Sequence, residues 1–378
     1  MKTYAVGGAV RDELLGLPVQ DRDYVVVGAT PQEMISQGFR PVGADFPVFL
    51  HPETHEEHAL ARTERKTAPG YKGFTFHASP EVTLEDDLRR RDLTINAMAR
   101  GEDGMLVDPY GGARDLRAGV LRHVSAAFAE DPVRILRVAR FAARFAFAVA
   151  PETMALMRKM VERGEADALV PERVWQELSR GLMEPEPSRM IAVLRECGAL
   201  ERVLPEVDRT FERPDVPERL AARLDRAATR GYALAVRYAL LVLDAQAGEA
   251  EALSERVNAP NEPRTLAQLA IRERSSLAGA AGLDAETLLA LLERADVFRR
   301  PERLHRLLEI AECDALAAFP GEFAPRACLL RAAEAVRDVD AGAIAREHPG
   351  EVAEAIRRSR LVALAELQSR PGTGKPLC

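Results

Sequence analysis

Apolar positions recur with two different periods along this chain, and the change falls near residue 125. Tyr4-Ala5-Val6 reads as a short strand running into Gly7-Gly8 as a turn. Ala9 to Leu15 repeats with helical spacing and is closed by Gly16 and Pro18, which predicts a short helix. Asp23 to Val27, valine-rich and bounded by Gly28, predicts a second strand. Pro47 to Leu50 and His58 to Ala61 predict two more, joined by a polar turn. Lys66 to Pro80 carries Gly70, Gly73 and two prolines and predicts a mobile loop. Past residue 126 the strand signals stop. Ala, Leu, Arg and Glu then dominate at helical spacing, punctuated by Pro or Gly, and predict an all-α remainder. Candidate seams lie at Glu184 to Pro187, Arg213 to Pro217, Asn258 to Pro263 and Arg300-Pro301, and the tail from Arg370 to Cys378 is expected to fray.

The longest apolar run, Tyr232 to Leu243, is too short to cross a bilayer and carries Arg237, so it predicts a buried helix. The N-terminus shows no signal-peptide pattern. Apolar residues make up 47% and charged residues 29% of 378 residues, which excludes disordered and fibrous classes and allows more than one domain. Lys+Arg is 52 against Asp+Glu 59, a net charge of −7, so bulk positive charge does not hold this chain to nucleic acid, although local basic grooves remain open. Cys197, Cys313, Cys328 and Cys378 fall at no metal or disulfide spacing and fit a cytoplasmic location.

Three stretches could carry chemistry. The first is Gly7-Gly8-Ala9-Val10-Arg11-Asp12 followed by Asp21-Arg22-Asp23. A strand, a glycine turn and a helix start offer free N–H groups to an anion, and Arg11 can clamp a phosphate bidentately. The third glycine of a dinucleotide fingerprint and the Gly-Lys-Ser/Thr of a P-loop are both missing. On one strand, Asp21 and Asp23 would point the same way about 7 Å apart. Like charges so placed repel unless a cation sits between them, as in a magnesium site. Carboxylates beside a phosphate clamp point to phosphoryl or nucleotidyl transfer.

The second is Glu85-Asp86-Asp87-Leu88-Arg89-Arg90-Arg91-Asp92-Leu93-Thr94-Ile95-Asn96. It reads either as a solvated helix start with local ion pairs, or as Arg90 and Arg91 on a triphosphate with Asp92 accepting from a ribose hydroxyl. The third is Glu130-Asp131-Pro132-Val133-Arg134, opening a helix through Phe147. At 100° per residue Arg137, Arg140 and Arg144 fall within about 60° of one another. That face is either solvated or set against phosphates, with Asp131 and Arg134 on a base edge, since an acceptor and a forked donor match C or A. His51, His55 and His58 lie in a turn context, which argues against a metal site. Glu64 is either a third carboxylate near the metal or a surface ion pair, and Trp175 reads as a core anchor.

Taken together, these stretches resemble the CCA-adding enzymes, the class II tRNA nucleotidyltransferases of the polymerase-β-like superfamily. The motifs that carry the resemblance are Gly7 to Asp12, Asp21-Arg22-Asp23, Arg90-Arg91-Asp92 with Thr94 and Asn96, Asp108-Pro109-Tyr110-Gly111-Gly112, and Glu130-Asp131-x-x-Arg134 with Arg137 and Arg140. Val19 to Gly28 and Asp45 to Arg65 are more similar to the proteobacterial CCA enzymes than to poly(A) polymerases. The resemblance implies an α+β fold: a small polymerase-β-like nucleotidyltransferase head (1–125), a helical neck with a nucleotide-templating helix (126–212), and an all-helical, tRNA-binding body and tail (213–378). It implies Asp21 and Asp23 as catalytic ligands of Mg²⁺, with Gly7, Gly8, Arg11, Arg90, Arg91, Asp92, Arg137 and Arg140 around the incoming nucleotide. Asp131 and Arg134 would be a protein template that selects CTP and then ATP, with the loop from Lys66 to Pro80 moving between the two. The partners so implied are tRNA, CTP and ATP, with no membrane and no evident protein partner. Alternatives within the same chemistry are a poly(A)-type or partial (CC-only or A-only) polymerase, and outside it an inactive RNA-binding homologue. One departure matters. Many close relatives carry a metal phosphohydrolase domain with His-Asp pairs, whereas here Leu240 to Gln246 contains Asp244 and there is no histidine between His123 and His305. No metal-dependent phosphohydrolysis is therefore expected.

Overall fold

The computed structural model describes residues 1–19, 21–42, 48–66, 74–319 and 321–369, with the side chains of 64–66 and 74–76 left aside. A seven-stranded mixed sheet opens the chain. Its strands are β1 (Lys2–Val6), β2 (Asp23–Val27), β3 (Arg40–Val42), β4 (Val48–Leu50), β5 (Glu57–Leu60), β8 (Ala99–Gly101) and β9 (Leu106–Val107), in the order β3-β4-β5-β2-β1-β8-β9. β1 pairs antiparallel with both β2 and β8, while β2 and β5 run parallel, with Asp23 opposite Glu57. β6 (Arg62–Lys66) and β7 (Phe74–Ala78) form a separate antiparallel hairpin. The loop expected from Lys66 to Pro80 therefore contains a strand, and its centre, 67–73, lies outside the described residues. Pro47 also lies outside them.

Side chains alternate across a strand, and β2 shows the consequence. Val25 packs into a core with Val6, Ala61, Leu88 and Ala99, while Val26 joins a second core with Met34, Phe49 and Leu60. Two helices cover the sheet, α2 (Pro31–Ser36) bringing Met34 to one core and α3 (Leu84–Arg89) bringing Leu88 to the other. Each begins with a threonine capping box, Thr30 with Glu33 and Thr83 with Asp86. Between β1 and β2 lies α1 (Gly8–Leu14). Asp108 accepts from the N–H groups of Gly112 and Ala113 at 2.6 and 2.9 Å, so the Asp-Pro-Tyr-Gly-Gly motif starts α4 (Gly112–Ala118).

Short strands β10 (Val120–Leu121) and β11 (Ala148–Val149) pair in parallel, the second falling inside the stretch expected to be purely helical. Between them runs α5 (Val133–Phe145), burying Ile135, Leu136, Val138, Ala139 and Ala142. α6 (Pro151–Glu162) and α7 (Pro171–Met183) follow. On α7, Trp175 is only half-buried, and Val174, Glu177 and Leu178 take the core positions instead.

The chain forms two compact units, Met1–Gly181 with Arg189–Val203, and Leu182–Ser188 with Leu204–Cys378. Residues 1–125 and most of 126–212 thus share one unit. The second unit is helical throughout its described residues. Its helix Leu234–Val242 is buried as expected, and Arg237 inside it donates to the carbonyls of Tyr232, Leu182 and Glu184. Among the described residues no helix is long and apolar enough to cross a membrane. Cys197 and Cys313 are free and buried, while Cys328 is disulfide-bonded, which the cysteine spacing does not anticipate.

Candidate active site

A cavity of about 520 Å³ opens in the first unit where β1, β2, β5, the turn after α3, and α5 come together. Gly7, Gly8, Arg11, Asp23, Arg90, Arg91, Asp92, Asp131, Arg134 and Arg137 all line it. Residues 7 and 137 thus meet because the sheet carries the first and α5 the second.

Gly7 has φ +70°, a backbone conformation that favours glycine, and a Cβ there would stand 2.8 Å from Nη1 of Arg91 and displace that guanidinium. Arg11 is buried on α1. Its Nε and Nη2 both face Asp12 Oδ1 at 2.8 Å, and its Nη1 donates to Asn96 Oδ1 at 2.5 Å. Burial lowers the Arg11 pKa, and Asp12 works against that shift. The guanidinium also lies over the rings of Phe141 and Phe145 at 5.2 and 5.0 Å.

Behind Arg90 and Arg91 lies Asp87, with no solvent exposure. Its Oδ1 accepts from Arg90 Nη2 at 2.6 Å and its Oδ2 from Arg91 Nη2 at 3.2 Å. Burial by itself would raise this carboxyl, but the two arginines outweigh it and hold the pKa below the usual range. Asp92 is equally bound. Its Oδ2 accepts from Arg137 Nε at 2.7 Å, and its Oδ1 from Asn96 Nδ2 and the Leu93 N–H at 3.0 and 2.8 Å. Here too burial pushes the pKa up, and Arg137 with Asn96 drives it far down. The acidic-then-basic run is therefore no solvated helix start, because its central carboxylates are buried beneath the arginines.

Asp131 and Arg134 stand near each other, and each is held by another group. Asp131 takes a bidentate pair from Arg173 at 3.1 and 2.9 Å, and Arg134 donates to the carbonyls of Ala127 and Arg90, both at 2.7 Å. Arg140 does not line the cavity. It is buried, and its Nε donates to Glu177 Oε2 at 2.6 Å, on a carboxylate that also faces Arg137 at 3.9 Å.

The acidic pair needs correction in its geometry. β2 begins at Asp23, so Asp21 precedes the strand, is exposed, and does not line the cavity. Strand alternation therefore does not align the two aspartates. It aligns Asp23 with Glu57 instead, register partners on parallel neighbours, so their side chains leave the same face. Both line the cavity, and among the described residues neither has an ion-pair or hydrogen-bond partner for its carboxylate. Every other carboxylate lining the cavity, Asp92 and Asp131, is held by arginine. Free hard-oxygen donors side by side suit a divalent cation. The side chain of Glu64 is outside the described residues, and no cluster of three or more His, Cys, Asp or Glu forms a metal site among them. His51 accepts from the N–H groups of Glu53 and Thr54, and His58 stacks on Tyr24, so these histidines serve the turn and the sheet.

Sequence reasoning missed Glu57, Asp87 and Arg173. Only sheet register could have found Glu57. Arg173 sits two residues before Trp175 in a stretch that reads simply as a helix start.

Seven arginines face four carboxylates around this cavity, an excess of positive charge suited to a polyphosphate. Residues 3–122 match the model of the poly A polymerase head domain, and residues 146–211 match the probable RNA and SrmB-binding site of polymerase A. The multifunctional CCA protein of Azoarcus sp. (strain BH72) is 56% identical, covering 98% of either chain, and that of Aromatoleum aromaticum is 59% identical, covering 92% of this chain and 93% of its own. Among solved structures, the Bacillus stearothermophilus CCA-adding enzyme in complex with CTP superposes with a TM-score of 0.71 at 25% identity, over 96% of this chain and 89% of that one. At this identity over nearly its whole length, the chain belongs to the family of multifunctional CCA proteins.

Proposed function

We propose that this protein adds the 3′-terminal CCA sequence to tRNA from CTP and ATP, without a nucleic-acid template, and that it does so in the cytoplasm. One observation carries the reading. A single cavity gathers seven guanidiniums, a carboxylate pair (Asp23 and Glu57) with no partner among the described residues, and an Asp131/Arg134 pair of the kind that reads a base edge.

The 3′-hydroxyl of the tRNA attacks the α-phosphorus in line. A bond forms from the 3′ oxygen to phosphorus, the bond to the bridging α–β oxygen breaks, and pyrophosphate leaves. Asp23 and Glu57, with Asp21 from the preceding segment, are the residues that would hold the divalent ion, which we take to be Mg²⁺. When bound, that ion makes the attacking hydroxyl more acidic and offsets the charge on the leaving group. Arg11, Arg90 and Arg91 cradle the triphosphate beside the Gly7–Gly8 backbone. Asp92 orients Arg137 and accepts from the ribose hydroxyl. Arg140 acts through Glu177, which fixes it beside Arg137. Asp131 and Arg134 meet the base by exchanging the partners they hold here, Arg173 and the Ala127 and Arg90 carbonyls. In this reading residues 1–125 form the head, 126–212 the neck and 213–378 the body and tail.

The test offers purified protein a tRNA ending before, within or after CCA, with each labelled nucleotide singly and in pairs, and sequences the products. Ordered addition of C, C and A, stopping there, is expected. A run of A, or incorporation of only one nucleotide type, replaces the reading with a poly(A)-type or partial enzyme, and no incorporation on any RNA removes it.

A further inference from the structure

Arg144 shares its helix face with Arg137 and Arg140, yet it does not line the cavity. It turns instead to Asp12, 132 residues earlier, where its Nη2 donates to Oδ2 at 3.1 Å. The other oxygen of that carboxylate, Oδ1, takes Nε and Nη2 of Arg11, both at 2.8 Å. Asp12 is buried and does not line the cavity either. One carboxylate thus ties α1 to the last turn of α5 and carries two guanidiniums, of which only that of Arg11 reaches the cavity.

Neighbours one apart on a helix do not ordinarily face each other. Arg11 and Asp12 meet because both turn toward α5, where Arg144 fixes the far oxygen of the carboxylate. The two guanidiniums also share a ring, each 5.0 Å from the Phe145 centroid. Like charges so close repel, and the carboxylate they share offsets that repulsion. Nε carries a single hydrogen and gives it to Asp12, so what Arg11 can offer a phosphate lies at its Nη end. That end rests against Gly8, with Nη2 and Nη1 at 3.4 and 4.0 Å from where a Cβ would stand. Gly8 opens α1 and lines the cavity. Asp12 therefore decides which edge of Arg11 is taken by the fold and which is left beside the glycine turn.

We propose that Asp12 is a positioning residue for the transfer reaction. It touches no substrate. By occupying the Nε edge of Arg11 it aims the Nη end at the triphosphate, and Arg144 holds it in that pose. This rests on the proposed function in one respect, that the phosphates met there are those of CTP and ATP.

The experiment compares the full wild-type chain with Asp12→Asn, Arg144→Gln, Arg11→Gln and the double Arg11→Gln/Asp12→Asn. Steady-state incorporation gives KM for CTP on a tRNA lacking its CCA end, for ATP on a tRNA ending in CC, and for each tRNA. Asp12→Asn should raise both nucleotide KM values by the same factor, about tenfold, as for one lost charged hydrogen bond. The factor is shared because both nucleotides present the same triphosphate, and the tRNA KM should stay as it was. In the Arg11→Gln background the rise should vanish, since no guanidinium is left to aim. Arg144→Gln should raise the same two values several-fold. Unchanged nucleotide KM values in Asp12→Asn, with only a lower melting temperature, reduce Asp12 to a tie between two helices and overturn the proposal. A rise that adds in full to that of Arg11→Gln overturns it too. Should Asp12→Asn not fold, Arg144→Gln, on a side chain one-third exposed, carries the same test, and unchanged nucleotide KM values there overturn it. Failure of the proposed function shows separately, as wild type that incorporates neither C nor A. Calorimetric titration of CTP then tests the positioning alone, weaker binding by Asp12→Asn supporting it and equal binding overturning it.

Discussion

Arg137 donates from Nε to Asp92 Oδ2 at 2.7 Å, joining helix α5 to the turn after α3 across 45 residues of sequence. The same carboxylate accepts from Asn96, which accepts in turn from Arg11 at 2.5 Å. Four side chains thus form one hydrogen-bonded relay along the cavity wall, and each fixes the orientation of the next. A charged hydrogen bond of this kind contributes about 1.5–3 kcal/mol. Asp92→Asn keeps the shape and removes the charge. The nucleotide KM should rise about tenfold or more, and ribonucleotides should lose their advantage over deoxyribonucleotides, as measured by steady-state incorporation with paired substrates.

Asp23 and Glu57 share a sheet face without a cationic partner among the described residues, which makes them the most direct test of the metal assignment. Asp23→Ala, Asp21→Ala and Glu57→Gln should each cut CTP incorporation at least about 100-fold. Thermal unfolding should move little, because among the described residues none of the three carboxylates holds another group of the fold. Near-full activity in any of them removes that residue from the site.

Base selection should respond to Arg134 more than to its neighbours. Arg134→Ala takes away the forked donor while leaving the arginines at the triphosphate end. Misincorporation of UTP or GTP against CTP should increase, read by sequencing the products of mixed-nucleotide reactions. Unchanged selectivity would falsify the template role.

Acid stability follows from the two buried aspartates. Asp87 and Asp92 have pKa values held below the usual 3.8. A carboxylate depressed in the folded state adds stability that is complete above its unfolded pKa and is lost as pH falls toward the folded value. Unfolding free energy should therefore drop below about pH 4, and the drop should shrink in Asp87→Asn. At neutral pH, Asp87→Ala should cost about 2–3 kcal/mol, the low end for a buried pair, because Arg90 and Arg91 keep some solvent contact. Denaturant titration at several pH values checks both.

Asp244 in the second unit is not poised for chemistry. It is buried against the fully buried Arg223 at 2.6 Å and faces Arg274 at 2.9 Å, and Arg274 also pairs with Asp314 at 2.8 Å. Burial raises its pKa and the two arginines reverse that, leaving it low. Purified protein should show no metal-dependent release of phosphate from phosphomonoesters or cyclic phosphodiesters. Asp244→Ala should cost about 3 kcal/mol of stability, because it leaves the buried Arg223 guanidinium with Asp314, at 3.3 Å, as its remaining carboxylate.

Four of the strands (β1, β2, β4 and β5), the glycine turn and the three motifs are legible along the chain, because each depends on neighbours within a few residues, whereas β7 inside the expected loop and β11 inside the expected helical stretch are not. Ten of the proposed site residues do line one cavity. The misses have a common cause. A strand through both aspartates would align Asp21 with Asp23, but β2 starts only at Asp23, and Glu57 stands beside it through sheet register alone. Arg140 shares its helix face with Arg137, yet Glu177 from α7 captures it.

Period and local motif thus settled the mixed first part, the helical remainder and the kind of chemistry, since those follow from chain geometry over a turn or two, while the family followed from the resemblance of the motifs. Which carboxylates stay free for a cation and which arginines are already held was decided by segments far apart in sequence meeting in space. A charge's availability is set by what is packed against it, and no spacing along the chain contains that.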